Sequence, residues 1–278
     1  MSAGAAAAEG PAGASSPTAG PLKARLLNLQ GKSSETVLLP DAFRAIVRPD
    51  LIRRAVIAAQ SHRIQPHGTS PTAGMRHSVE WSGKGHGVAR TPRLMTGMRG
   101  AQAPNTVGGR PTHPPKVERI WAKKINIKER RQAFASALAA TGDRKLASAR
   151  GHEVPAGLSL PVVLEAPLEE IATSVEARSV LNRLKLWPEI ERASDGVHVR
   201  AGRGKGRGRF RRSPTSLLVV TSSPQRARGF RNLPGVDVVA VARLGTEDLA
   251  PGGDPGRLTL FTAPAVDALR SRLEGESR

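Results

Sequence analysis

Cysteine and tyrosine are both absent from this chain of 278 residues. Without cysteine there are no disulfides, no thiolate catalysis and no Cys-ligated zinc or iron, which fits a chain working in a reducing compartment. Aromatic residues make up only 3% of the sequence, so stacking bases on aromatic platforms is not the expected mode of any nucleic-acid contact. Acids are scarce as well: 23 Asp and Glu stand against 43 Lys and Arg, leaving a net charge of +20 at pH 7. That imbalance points to a polyanionic partner met through its phosphates. No apolar run approaches the roughly 18 residues of a membrane span, so no membrane partner is expected. The opening MSAGAAAAEGPAGASSPTAG lacks the basic start and apolar middle of a signal peptide. Its Ala, Gly, Pro and Ser content reads as a disordered tail over residues 1–20, on a cytoplasmic protein.

What is present is sufficient for one ordinary or large domain, or two small ones. ARLLNLQG, closed by Gly31, reads as an edge strand. In LPDAFRAIVRPDLIRRAVIAAQSHR, Phe43, Ile46 and Val47 precede a break at Pro49. Leu51, Ile52, Ala55, Val56 and Ala59 then follow at helical spacing, fading near His62. In KVERIWAKKINIKERRQAFASALAATGD, Ile127, Phe134, Leu138 and Thr141 mark one helical face that Gly142 ends. EARSVLNRLKLW carries a stripe of Val180, Leu184 and Trp187 and is expected to stop at Pro188. SLLVV reads as a buried strand, and short apolar runs (VDVVAV, RLTLF) then alternate with PQRARGFRN and TAPAVDALRSRL. Strands interleaved with helices predict an α/β domain with a mainly parallel sheet flanked by helices.

Between Ser61 and Pro115 the sequence has nine Gly, seven Pro, seven Lys or Arg and five His, but a single acid, Glu80. No stable core can come from that composition. The expected organisation is therefore a globular domain from residues 21–62 and 116–278, with residues 63–115 as a long extended loop.

The chemistry of sites is mostly excluded. GRGKGRG places Gly202, Gly204, Gly206 and Gly208 in strict alternation, so neither GxGxxG nor GxxxxGK[ST] is present, and the run precedes a strand where a nucleotide fingerprint follows one. His62, His67, His77, His86 and His113 lack the pairing and nearby carboxylates of a ligand set, so no metal is expected. No motif sets a nucleophile beside a base. The sequence implies neither an enzyme nor a cofactor.

The Arg/Gly run has a different reading. If it is extended, Arg203, Lys205, Arg207, Arg209 and Arg211 line one side at roughly 6.6 Å steps, with glycines on most of the other. Such a ribbon suits a crowded phosphate backbone; a flexible solvated linker is the alternative. The long loop poses the same choice. It combines almost no acids with isolated apolar side chains (Ile64, Met75, Val79, Trp81, Val88, Leu94, Met95), which favours a segment that orders against RNA over free disorder or a fold of its own.

Four blocks together resemble a known family, large-subunit ribosomal protein four in its archaeal and eukaryotic form. They are LPDAFRAIVRPDLIRRAV, SHRIQPHGTSPTAGMRHSVEWSGKGHGVARTPR, VGGRPTHPPKVERIWAKKINIKERRQAFASALAAT and AGRGKGRGRFRRSPTSLLVV, in the family's order and over most of residues 22–221. The resemblance implies an α/β domain on the surface of the large ribosomal subunit that binds the large ribosomal RNA early in assembly and adjoins other ribosomal proteins. It also implies a loop threading to the wall of the polypeptide exit tunnel, facing the nascent peptide. Tunnel-proximal residues would be Gly83, Lys84, Gly85, His86, Gly87, Val88 and Arg90; the family commonly has Arg where this chain has His86. On this reading Arg63, Arg76, Lys84, Arg90, Arg93, Arg99 and Arg110 meet phosphates along the path. Lys116, Arg119, Lys123 and Lys124 anchor the return, Trp81 is placed to stack on a base or pack on a protein segment, and Arg200 and Arg212 extend the basic ribbon. The rival reading is a DNA architectural protein, which would favour basic residues on one face or tail, not in two internal glycine-spaced segments.

Overall fold

The computed structural model describes residues 22–277, and the tail expected over residues 1–20 lies outside the described residues. The chain divides into two compact units. One is Ile57–Lys124, and the other is formed by the segments on either side of it.

The flanking segments build the sheet. β1 (Lys23–Leu27) turns through Asn28, whose side-chain oxygen accepts from the backbone N–H groups of Gln30 and Lys32, into β2 (Ser33–Leu38). The strand expected in ARLLNLQG exists, but it is not an edge. It pairs antiparallel with β2 and parallel with β5 (Val162–Leu164), so the largely exposed β2 takes the edge. α1 (Pro49–Ser61) begins at the expected break, because proline is tolerated in a first helical turn. Ile52, Ala55 and Val56 are buried as the spacing indicates, while Ala59 is exposed and Ala58 is buried instead. β3 (Val79–Trp81) and β4 (Pro92–Leu94) belong to the other unit.

α2 (Ile127–Thr141) buries Phe134, Leu138 and Thr141 on one face and leaves Ile127 59% exposed. α3 (Arg144–Ala149) follows, capped by the Asp143 carboxylate accepting from the Lys145 N–H at 2.8 Å. After β5 come α4 (Ser174–Arg183) and α5 (Trp187–Asp195). Pro188 was expected to end a helix, yet it lies in the first turn of α5. A first turn does not need the donor that proline lacks, and the chain between α4 and α5 passes through Lys185 at φ +58°. β6 (His198–Val199) and β7 (Arg211–Arg212) form a short hairpin. β8 (Leu218–Thr221), β9 (Asp237–Ala240), α6 (Thr246–Leu249), β10 (Thr259–Thr262) and α7 (Ala263–Ser277) complete the unit.

The main sheet has the order β2-β1-β5-β10-β8-β9, parallel at every pairing except β1 with β2. Alternate residues of its central strands enter opposite cores. Val163, Leu218, Val220 and Phe261 pack with Phe43, Ile52, Phe134, Leu138 and Val266. Val162, Leu164, Val219 and Leu260 pack with Leu181, Ile190 and Phe230. Helices α1, α2 and α7 thus cover one face and α4 and α5 the other, which is why the central strands read as unbroken apolar runs.

Candidate nucleic-acid interface

The unit Ile57–Lys124 has almost no interior: Ala58, Ser61, Pro92 and Ala101 are its only buried residues among the 68 described. It carries eleven Lys and Arg against two acids, Glu80 and Glu118. Ten of those cations are exposed: Arg63, Arg76, Lys84, Arg90, Arg99, Arg110, Lys116, Arg119, Lys123 and Lys124. Arg93 differs. It is half-buried, donates to the carbonyls of Ala89 and Met98, and stands opposite Glu80 in the β3–β4 register, so it braces the hairpin.

Beyond β3 the chain turns through Gly83, Gly85 and Gly87, at φ +59°, +87° and +64°. An added Cβ would meet nothing within 4 Å at any of the three. Glycine is needed there for left-handed backbone, not for space. The residues singled out as tunnel-proximal, Gly83, Lys84, Gly85, His86, Gly87, Val88 and Arg90, therefore sit together at one hairpin tip. Beside it Trp81, Met95 and Met98, exposed by 67%, 70% and 65%, line an open groove of about 530 Å³ with Val88 and Leu94.

The stem of this excursion is held by backbone crossings. The Thr69 N–H donates to the Pro115 carbonyl at 3.0 Å, where a Cβ on Gly68 would lie 2.7 Å from that same oxygen. Gly74 runs against Gly109 and Arg110, leaving only 2.6 Å for a Cβ. The Gln102 amide donates to the carbonyls of Met75 and His77 at 3.0 and 2.6 Å. Trp121 stacks with His67 at 4.5 Å between ring centres, and the Arg119 guanidinium lies 4.5 Å from its ring centre.

The second basic segment departs from the expected ribbon. Arg203–Arg207 is a 3-10 turn at the end of the β6–β7 hairpin, entered at Gly202 (φ +75°) and left at Gly208 (φ +76°). Alternating glycines free the backbone to coil as readily as to extend, so residues of one parity do not line one side. The charge is still presented: Arg203, Lys205, Arg207, Arg209, Arg211 and Arg212 are all exposed, while Arg200 is half-buried. His198 pairs with Arg212 and Val199 with Arg211, and the Arg200 N–H donates to the Phe210 carbonyl at 2.8 Å.

Sequence reasoning missed a polar knot beneath this hairpin. The Glu189 carboxylate is fully buried and accepts from His152 Nδ1 at 2.7 Å, from Arg192 Nη2 at 2.6 Å and Nε at 2.9 Å, and from the Glu153 N–H at 2.9 Å. Burial pushes its pKa up, but the hydrogen bonds from His152, Arg192 and Glu153 outweigh burial and hold it at about 2. His152 and Glu189 lie 37 positions apart on different elements, and no local pattern links them. Lys128, Arg130 and Arg131 on α2 are exposed cations outside the two glycine-spaced segments, and the run KERR is the sequence signal for them. Among the described residues no group of three or more His, Cys, Asp or Glu is arranged to hold a metal, and no helix is long and apolar enough to cross a membrane.

Residues 37–272 match the model of the family described as "Ribosomal protein L4/L1 family". The "Large ribosomal subunit protein uL4" of Pyrobaculum aerophilum is 48% identical over 252 residues, 89% of either chain. The protein of the same name from Methanopyrus kandleri is 45% identical over 258 residues, 91% of this chain and 99% of its own. That from Archaeoglobus fulgidus is 45% identical over 249 residues, 89% of this chain and 98% of its own. This chain therefore belongs to the ribosomal protein L4/L1 family, whose members are structural and not enzymatic.

Proposed function

We propose that the chain is a structural constituent of the large ribosomal subunit and a primary binder of the large ribosomal RNA, aiding early assembly. Its α/β domain sits against RNA and neighbouring ribosomal proteins, while residues 63–115 thread into the particle. The hairpin tip with Lys84, His86 and Arg90 then forms part of the polypeptide exit tunnel wall and meets the nascent peptide.

One observation carries this reading: a unit with almost no buried residues exposes ten cations and holds only two acids. A polypeptide that cannot supply its own interior must take order from what surrounds it, and phosphates match its charge. Membership of a ribosomal family favours ribosomal RNA over the DNA of an architectural protein. The test is crosslinking of the chain in cells, followed by sequencing of the attached RNA. Large-subunit RNA should dominate, with crosslinks to residues 63–115 and 200–212; genomic DNA, or large-subunit RNA no richer than its background, contradicts the proposal.

A further inference from the structure

Three Trp and five Phe are the only aromatic residues of the chain. Phe43, Phe134, Phe230 and Phe261 are buried in the two cores. Trp121 and Trp187 are half-buried, the first stacked with His67 and the second beneath the Arg178 guanidinium. Trp81 and the 54% exposed Phe210 remain, and each lies in one of the two glycine-spaced basic segments. A single exposed apolar side chain is ordinary. Both bare rings falling in the most basic parts of the chain is not, and few rings exclude a stacking platform of several without excluding one contact.

The backbone at Phe210 is held on either side. The Arg200 N–H donates to its carbonyl at 2.8 Å, and the Arg209 N–H donates to the Gly204 carbonyl at 3.1 Å. At the foot of the hairpin Gly196 runs so close to Pro214 that a Cβ would lie 2.5 Å from the proline ring. His198, Val199, Arg211 and Arg212 are all exposed, so both faces of the ribbon are open to solvent. Phe210 joins neither core, and among the described residues no ring or guanidinium covers it. No acid occurs between Asp195 and Asp237. A partner of this surface is therefore anionic, and one that also covers a bare ring carries flat apolar groups. Nucleic acid has both. The major groove of an RNA double helix is too deep and narrow for side chains to read, whereas a base outside a helix offers its face.

We propose that Phe210 is a base-stacking residue: its ring takes the face of one unpaired base of an RNA strand, while Arg209 and Arg211 meet the phosphates on either side of that base. This rests on the reading of the β6–β7 hairpin as facing RNA. It adds what charge alone does not supply, a preference for single-stranded over paired RNA. The held backbone lowers the entropy lost when the ring is fixed.

Binding of the full chain to an oligouridylate of about 12 nucleotides, and to a fully paired RNA duplex of the same length, tests this. Phe210→Leu keeps an apolar side chain and removes the flat face. It should weaken the single strand about tenfold, the worth of one base on one ring, and leave the duplex unchanged. Its slope of log affinity against log salt should match that of the unsubstituted chain, whereas Arg209→Ala should lower the slope on the single strand by about 0.7. Phe210→Trp should keep the affinity, and the fluorescence it adds to that of the three native Trp should be quenched by oligouridylate and not by the duplex. Position 210 is exposed, so each variant should melt as the unsubstituted chain does. An unchanged single-strand affinity in Phe210→Leu, an equal loss on the duplex, or unquenched added fluorescence overturns the proposal; the second would make the ring a wedge between paired bases. If Phe210→Leu binds as the unsubstituted chain does while crosslinking recovers large-subunit RNA at residues 200–212, only the stacking assignment fails. If the dependence on the ring holds while crosslinking recovers no such RNA, the proposed function fails and the stacking residue stands.

Discussion

Two buried charges, Glu189 and Arg257, set much of what single residues do here. Arg257 is 1% exposed and donates to the carbonyls of Ser216, Leu217 and Asp248 and to Asp237. Arg257→Ala removes that donor from the Ser216 and Asp248 carbonyls, while the Leu217 carbonyl keeps the Asp237 N–H and the exposed Asp237 carboxylate turns to water. The substitution should cost roughly 3 kcal/mol, measured by urea unfolding. Glu189 gives a pH dependence whose sign follows from its depressed pKa. The unfolded carboxylate titrates near 4.5 and the folded one at about 2. The stabilisation is therefore complete above pH 4.5 and is lost as pH falls through that window towards 2. Glu189→Gln should flatten the fall in melting temperature across this range, while lowering stability at pH 7 because the partners of the carboxylate lose its charge. Neither group was legible in the sequence. His152 with Glu189 and Asp237 with Arg257 lie 37 and 20 positions apart, and although Arg192 is three residues from Glu189, in a chain with 43 Lys and Arg nothing distinguishes the structural ones. The exposed cations of residues 63–110 and 203–212 were legible, because they lie in glycine-rich runs where no core could claim them, whereas Lys128, Arg130 and Arg131 lie in no such run. Arg209→Ala should weaken binding to large-subunit RNA with little dependence on sequence and reduce the slope of log affinity against log salt by about 1.

Elements were legible where packing and local pattern agree. The apolar runs of β8, β9 and β10 and the stripe on α2 were readable because each must fill a core on both faces or one. β5 escaped notice: a three-residue strand, Val162–Leu164, flanked by prolines is too short to display a period. β2 was missed for another reason, since an edge strand can be built from polar SSETVL with one side in water. The Arg/Gly segment was misjudged because glycine alternation constrains side chains only when the backbone is extended, and Gly202 and Gly208 let it coil. The hairpin tip is an element whose shape depends on glycine conformation alone. Replacing Gly83, Gly85 and Gly87 together by Ala should cost about 1 kcal/mol at each in local backbone energy. Because a Cβ at any of the three glycines meets nothing within 4 Å, the melting temperature should hold while affinity for large-subunit RNA drops. A fall in melting temperature of more than a few degrees in a thermal scan would show that the tip is part of the folded interior.

For the whole molecule, division of labour follows from where apolar area is available. The sheet and its helices bury Leu, Val, Ile and Phe on both faces, and the chain from residue 57 to 124 contributes almost nothing to such a core. Deleting residues 70–105 should therefore leave the α/β unit folded, with an unchanged cooperative transition by circular dichroism, and still able to bind RNA through residues 200–212. The central claim is that nucleic acid, and not the chain's own interior, orders the glycine- and arginine-rich excursion. Hydrogen exchange on the full chain, free and bound to large-subunit RNA, tests it most directly. Amides of residues 63–115 should exchange rapidly in the free protein, slow by orders of magnitude when RNA is bound, and do so while β8 and β10 stay protected throughout. Strong protection of residues 63–115 without RNA, or none with it, would contradict the account.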